Sequence, residues 1–270
     1  MRRYTRDFIL IAMSVGLCGW VSQLSAQEGA VADPPAATKD LPADVAAATT
    51  PAPRDQGGWK SRHESMNKQA RQTKWDLVFM GDSITQGWEG AGKEVWRKFY
   101  GERKAGNLGI SGDRTEHLTW RLEHGNLEGQ APKVAVIMIG TNNLGNTKHS
   151  PQAVVAGITR VVETVQKASP QTEILLLGIF PRGEQPDNPH RAQIKQINEQ
   201  ISQLAEGEPE EGQGGVHFLD IAETFLEEDG TLSKQVMPDF LHLSPEGYER
   251  WAKAIEPTLA KLLGESPAAP

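Results

Sequence analysis

The chain has almost no cysteine. Cys18 is the only one in 270 residues, and it lies in an apolar leader, so the rest of the chain holds no disulfide, thiol nucleophile, cysteine-bound zinc or iron–sulfur ligand. A basic excess is lacking too: 28 Lys and Arg stand against 35 Asp and Glu, a net charge of -7. Without the leader, 25 basic residues face 34 acidic ones, or -9. With no surplus of cations to displace counterions from a phosphate backbone, nucleic acid is not an expected partner. Long hydrophobic runs are also missing. The apolar stretch from Phe8 to Val21 is shorter than the roughly 18 to 20 residues a spanning helix needs, so no stable membrane span is expected after processing.

That stretch has the form of an export signal instead. Arg2, Arg3 and Arg6 precede it and the small-residue segment Ser22 to Ala26 follows it, so residues 1–26 are read as a signal peptide and the protein as periplasmic or extracellular. Residues 27–58 are mostly Ala, Pro, Thr, Asp and Gly with few large apolar side chains, which predicts a disordered linker. A folded domain is expected over 59–265, about 200 residues and enough for one substantial core, with a tail at 266–270. Inside the domain, apolar runs at Leu77–Met80, Val134–Ile139, Ile174–Ile179 and Val216–Leu219 read as buried strands, with Lys104–Ile110 as a weaker fifth. Helical spacing separates them at Thr115–Glu123, Pro151–Ala168 and Arg191–Leu204, and a last helix follows at Pro245–Leu263. Ser150-Pro151 and Ser244-Pro245 are helix-start signals. Strand and helix in alternation predict a parallel sheet covered on both faces, with ligands at the carboxyl ends of its strands.

Four segments fall where such a sheet collects functional loops. Leu77–Met80 ends in Gly81-Asp82-Ser83, which places Ser83 at a strand's carboxyl end beside the free N–H groups of a helix start. Asn107-Leu-Gly-Ile-Ser-Gly-Asp113 brings Gly112, whose N–H no side chain shields. Ile139-Gly-Thr-Asn-Asn143 offers the Asn142 amide. Asp239-Phe-Leu-His242 sets a carboxylate three residues before an imidazole, where it can fix the tautomer of a general base. A helix cap, a loop glycine, an Asn-rich turn and a structural Asp-x-x-His are the ordinary readings of each alone. Together they supply nucleophile, base, orienter and oxyanion donors.

In that order the four segments resemble the blocks of the SGNH or GDSL-like hydrolases. Their flanks, with Thr119-Trp-Arg-Leu122 and Phe180-Pro-Arg-Gly-Glu184, are similar to the catalytic subunits of the intracellular platelet-activating-factor acetylhydrolases. Ile84 and Asn143 depart from the commonest pattern, in which Leu and Asp stand there. The resemblance implies a three-layer α/β/α sandwich with a five-stranded, flavodoxin-like parallel sheet, and ester hydrolysis without cofactor or metal. It assigns Ser83 as nucleophile, His242 as base and then acid, and Asp239 as orienter. The oxyanion donors would be the Ser83 and Gly112 N–H groups and the Asn142 side chain. A homodimer is implied by the same relatives.

Arg182 is a candidate substrate contact, Asp82 a brace for the turn, and Trp88 and Trp120 packing residues. His117 and His124 have no zinc-binding motif around them. The expected activity is removal of short acyl groups, acetyl foremost, from O-acetylated carbohydrate or another small ester. Lipid acetyl esters resembling platelet-activating factor are the alternative, and a non-catalytic glycan-binding module is the alternative of another class. An α/β-hydrolase fold would need a Gly-x-Ser-x-Gly elbow, which is missing.

Overall fold

The apolar runs form the sheet. In a computed structural model, which describes residues 41–268, the strands β1 (Leu77–Gly81), β2 (Ala105–Gly109), β3 (Val134–Met138), β4 (Glu173–Leu177) and β5 (Val216–Leu219) pair in parallel in the order β2-β1-β3-β4-β5. Every residue of β1 and β3 is buried, as continuous apolar strands covered on both faces must be. Between and around the strands run α1 (Ala43–Thr49), α2 (Gly57–Gln72), α3 (Ser83–Gln86), α4 (Lys93–Tyr100), α5 (Thr115–Arg121), α6 (Thr141–Thr147), α7 (Pro151–Ala168), α8 (Pro189–Ile201) and α9 (Pro245–Leu263). The strand order and the two helical layers are those of the expected three-layer α/β/α sandwich.

Period-two alternation along the strands divides the core. Val78, Met80, Ala135, Ile137, Ile174 and Leu176 face one layer with α2, α5, α7 and α8. Leu77, Phe79, Val134, Val136, Met138, Leu175 and Leu177 face the other, packed with Tyr100 of α4 and Trp251 and Ile255 of α9. Leu176 is 1 % exposed. Leu176→Ala is expected to cost about 2–5 kcal/mol through lost burial and the cavity left behind, read from the denaturant midpoint.

Capping follows the sequence signals. Ser150 Oγ accepts from Ala153 N at 3.3 Å and Ser244 Oγ from Gly247 N at 3.1 Å, each with proline at the next position. The unpredicted α8 start uses Asn188 before Pro189 in the same way, with Asn188 Oδ1 accepting from His190 N.

The linker reading of 27–58 is corrected from residue 41 onward, so the folded domain begins well before Trp59. Residues 43–49 are helical and 57–58 already belong to α2. Ala48 is fully buried, Thr115 Oγ1 donates to Ala48 O at 2.9 Å, and Ser150 N donates to Asp44 Oδ2 at 3.1 Å. The physical reason is a notch at Gly157. A Cβ there would lie 3.0 Å from Ala48 O, so α1 packs on α7 through small residues and needs no large ones. The expected signal peptide, Cys18 and residues 27–40 lie outside the described residues, as do 269–270 of the expected tail. No helix among the described residues is long and apolar enough to cross a membrane.

Candidate active site

The carboxyl ends of β1, β2 and β3 and the loop before α9 converge. Ser83 opens α3 directly after β1. Asp82 precedes it with an Oδ1 that accepts from Ile84 N at 3.0 Å, so the turn is braced from inside. Gly81 has no room for a side chain: an added Cβ would sit 2.3 Å from Met138 O. Ser83 Oγ lies 2.9 Å from His242 Nε2, across 159 positions of sequence. His242 Nδ1 lies 2.7 Å from Asp239 Oδ2. Both contacts are satisfied by the neutral tautomer with its hydrogen on Nδ1, which leaves Nε2 as acceptor for the serine proton.

Asp239 also organises its own loop. Its Oδ1 accepts from Leu241 N at 3.1 Å and from His242 N at 2.7 Å. Phe240, which follows Asp239, is left-handed at φ 58°, an uncommon state for a bulky residue. That state turns the chain so that carboxylate and imidazole meet. Burial works to raise the Asp239 carboxyl, but the hydrogen bonds from the His242 ring and backbone outweigh it and hold it below the usual carboxylate range.

Gly112, in the loop after β2, is left-handed at φ 76°. Neither its N–H nor that of Ser83 has a hydrogen-bond acceptor among the described residues. The third expected donor is held differently. Asn142 Nδ2 donates to Asp113 O at 2.9 Å and, at the longer 3.3 Å, to Asp82 Oδ2, while its Oδ1 accepts from Asn146. Asn143 works structurally. Its Oδ1 receives Thr115 N at 3.0 Å and its Nδ2 donates to Thr115 Oγ1 at 3.0 Å. Arg182 Nη1 donates to Thr141 O at 3.0 Å, and Asp82 and Asp239 are the carboxylates that act on it. Trp88 is core, at 1 % exposed. Trp120 stacks on His124, and His117 Nδ1 accepts from Arg114 N.

Asp82 is fully buried. Burial pushes its carboxyl up to about 7 against the Ile84 N–H, with Asp113 adding to the rise and His242 and Arg182 opposing it. The unfolded group ionises near pH 4, so the fold binds this proton more tightly, and this residue's contribution to stability falls as pH rises from about 4 to about 7. Asp82→Asn is therefore expected to look better relative to wild type at pH 8 than at pH 5, checked by melting temperatures at both values.

A second buried polar group stands behind the site. Asp113 and Arg121 are both fully buried, and Arg121 Nε donates to Asp113 Oδ2 at 2.8 Å. Trp59 Nε1 donates to Asp113 Oδ1 at 2.7 Å. Asp113 stands in the second of the four segments and Arg121 in the flanking Thr119-Trp-Arg-Leu122, and a carboxylate and a guanidinium eight residues apart around a helix start are the signal the sequence offers.

A doubly wound parallel sheet with serine, imidazole and carboxylate gathered at its carboxyl edge defines the class: a hydrolase of the α/β/α type. The sequence pattern of the GDSL-like lipase/acylhydrolase family matches residues 79–250, and this chain belongs to that family and is a carboxylic ester hydrolase. The platelet-activating factor acetylhydrolase IB subunit alpha1 of Homo sapiens is 38 % identical over 209 residues, 77 % of this chain and 86 % of that one. The alpha2 subunit of Rattus norvegicus is 37 % identical over the same shares. Among solved structures, a GDSL-like lipase from Bacteroides thetaiotaomicron superposes with a TM-score of 0.59 at 20 % identity, covering 74 % of this chain and 97 % of that one. An acetylxylan esterase from Geobacillus stearothermophilus does so at 0.54 and 23 %, covering 72 % and 96 %. At those identities the likeness speaks for the fold.

Proposed function

We propose that this protein is an exported serine esterase that removes short acyl groups, acetyl foremost, from O-acylated carbohydrate. Ser83 Oγ adds to the ester carbonyl while His242 Nε2 takes its proton, and Asp239 steadies the imidazolium that forms. The oxyanion is received by the Ser83 and Gly112 N–H groups and by the Asn142 amide, whose long contact to Asp82 is the weaker of its two and the one to be exchanged. His242 then returns its proton to the departing alcohol. Water repeats the sequence on the acyl-enzyme and releases the acid.

The observation that carries this reading is the continuous Ser83–His242–Asp239 chain of contacts at 2.9 and 2.7 Å. Acetyl specificity is supported by relatives named as acetylhydrolases. Export is supported by the basic and apolar leader. A lipid acetyl ester is the second reading, favoured by the 38 % identity to the acetylhydrolase subunit. Acetate release measured across acetylated xylan, acetylated sialate and an acetylated choline lipid separates the two. Butyrate or longer chains leaving faster than acetate would overturn the short-acyl claim. A fluorophosphonate probe that failed to label the protein would favour a glycan-binding module instead.

A further inference from the structure

Asp113 is the point at which two of the proposed oxyanion donors are held. It follows Gly112 in the chain, and its backbone oxygen receives the Asn142 amide at 2.9 Å. Its carboxylate is fixed from three directions, by Arg121, by Trp59 and by Arg54. Arg54 comes from the strap between α1 and α2, outside the 79–250 span of the family pattern. One nitrogen of its guanidinium grips both neighbours of Gly112, with Nη1 donating to Ser111 O at 2.7 Å and to Asp113 Oδ1 at 3.3 Å. Nη2 is held by Gln56 Oε1 at 2.8 Å. The same guanidinium covers the bare face of Gly112: a Cβ added there would meet Nη1 at 3.0 Å. The strap is itself anchored next door, where Ala52 N donates to Glu116 O at 3.2 Å.

We propose that Arg54 is a positioning residue for ester hydrolysis, clamping the Ser111-Gly112-Asp113 turn so that the Gly112 N–H, and the Asn142 amide through Asp113, stay aimed at the developing oxyanion. The clamp rests on the oxyanion assignment made above. The turn is closed by Asp113 N donating to Ile110 O at 3.1 Å, and Gln86 Oε1 accepts from Ser111 N at 2.7 Å; Arg54 adds a hold on both sides of Gly112 at once. A misaimed donor loses rate rather than substrate affinity, because its partner carries full charge only in the transition state. Arg54 suits a test better than Asp113 or Arg121. Those two are fully buried, and breaking their pair would threaten the fold, whereas the Arg54 side chain is 18 % exposed.

The full chain is compared with Arg54→Ala, Arg54→Lys and the surface control Lys60→Ala, using p-nitrophenyl acetate turnover, melting temperature and fluorophosphonate labelling mapped to Ser83. For Arg54→Ala, kcat is expected to fall by about 10- to 100-fold with KM within about twofold, and labelling to reach completion more slowly. Arg54→Lys, which keeps the charge without the fork, should recover part of the loss. Millimolar guanidinium ion should raise the rate of Arg54→Ala and leave wild type unchanged. Lys60→Ala should behave as wild type. A wild type that labels at Ser83 beside an Arg54→Ala protein of wild-type kcat overturns the clamp and leaves the esterase site standing. Should Arg54→Ala melt far below wild type, Arg54→Lys decides, and a wild-type kcat there overturns the clamp equally. Wild type that fails to label at Ser83 removes the site and the clamp with it.

Discussion

Ser83→Ala is expected to abolish acyl-enzyme formation and to lower p-nitrophenyl acetate turnover by about 10⁶, to the level that bound water and the remaining donors can support. No neighbouring side chain can take over. The described residues contain no cysteine, and His242 Nε2, 2.9 Å from the serine oxygen, would face a methyl group. His242→Ala should cost nearly as much, since serine and base act as one unit, and the double variant should be scarcely worse than either. Asp239→Asn should be milder. The Asp239 and His242 side chains are 56 % and 45 % exposed, so water shares in steadying the imidazolium. Mass spectrometry of the intact protein under substrate reads the acyl-enzyme directly. An acylated Ser83→Ala protein, or one with wild-type turnover, would displace this hydroxyl as nucleophile.

Asn142→Ala should lower kcat by about 10² to 10³ and leave KM near its original value, as other single oxyanion donors do. Its resting bonds sharpen the expectation. The amide already donates to Asp113 O at 2.9 Å and to Asp82 Oδ2 at 3.3 Å, so both its hydrogens are engaged at rest and the longer contact must be given up to receive an oxyanion. Removing it also leaves the buried Asp82 carboxylate with the Ile84 N–H as its remaining close donor, which should favour the protonated form further. The variant should therefore show its full deficit in single-turnover acylation. An Asn142→Ala enzyme with unchanged acylation would show that two backbone N–H groups suffice.

The central strands were legible because burial on both faces demands uninterrupted apolar residues, and Val134–Met138 could be little else. The edge strand Ala105–Gly109 was harder to read, since the close approach of Trp75 over Gly106 removes the side chains that mark a strand. The residues Ser83, Gly112, Asn142, Asp239 and His242 could be read as candidates because each sits on a short local pattern. Their assembly was legible only from the four segments taken together and from the family they resemble, since no local pattern shows that 158 residues of intervening chain return to one edge. The strap at 43–58 was invisible for another reason. Its burial uses alanines against the Gly157 notch, and its polar anchors meet distant partners, Arg54 at 57 and 59 positions and Asp44 at 106. Composition measures how much apolar surface a segment owns, not how well a small surface fits.

Tyr248 OH donates to Ile84 O at 2.7 Å, so the last helix grips the residue after Ser83, 164 positions earlier. A polypeptide is made from its amino end, and Ser83 leaves the ribosome long before residues 239–248. A nascent or truncated chain thus carries the Ser83 hydroxyl with neither the His242 contact nor this tie. A stop codon before His242 would remove that imidazole together with α9, whose Trp251 and Ile255 cover one face of the sheet, and the shortened protein is expected to hydrolyse nothing.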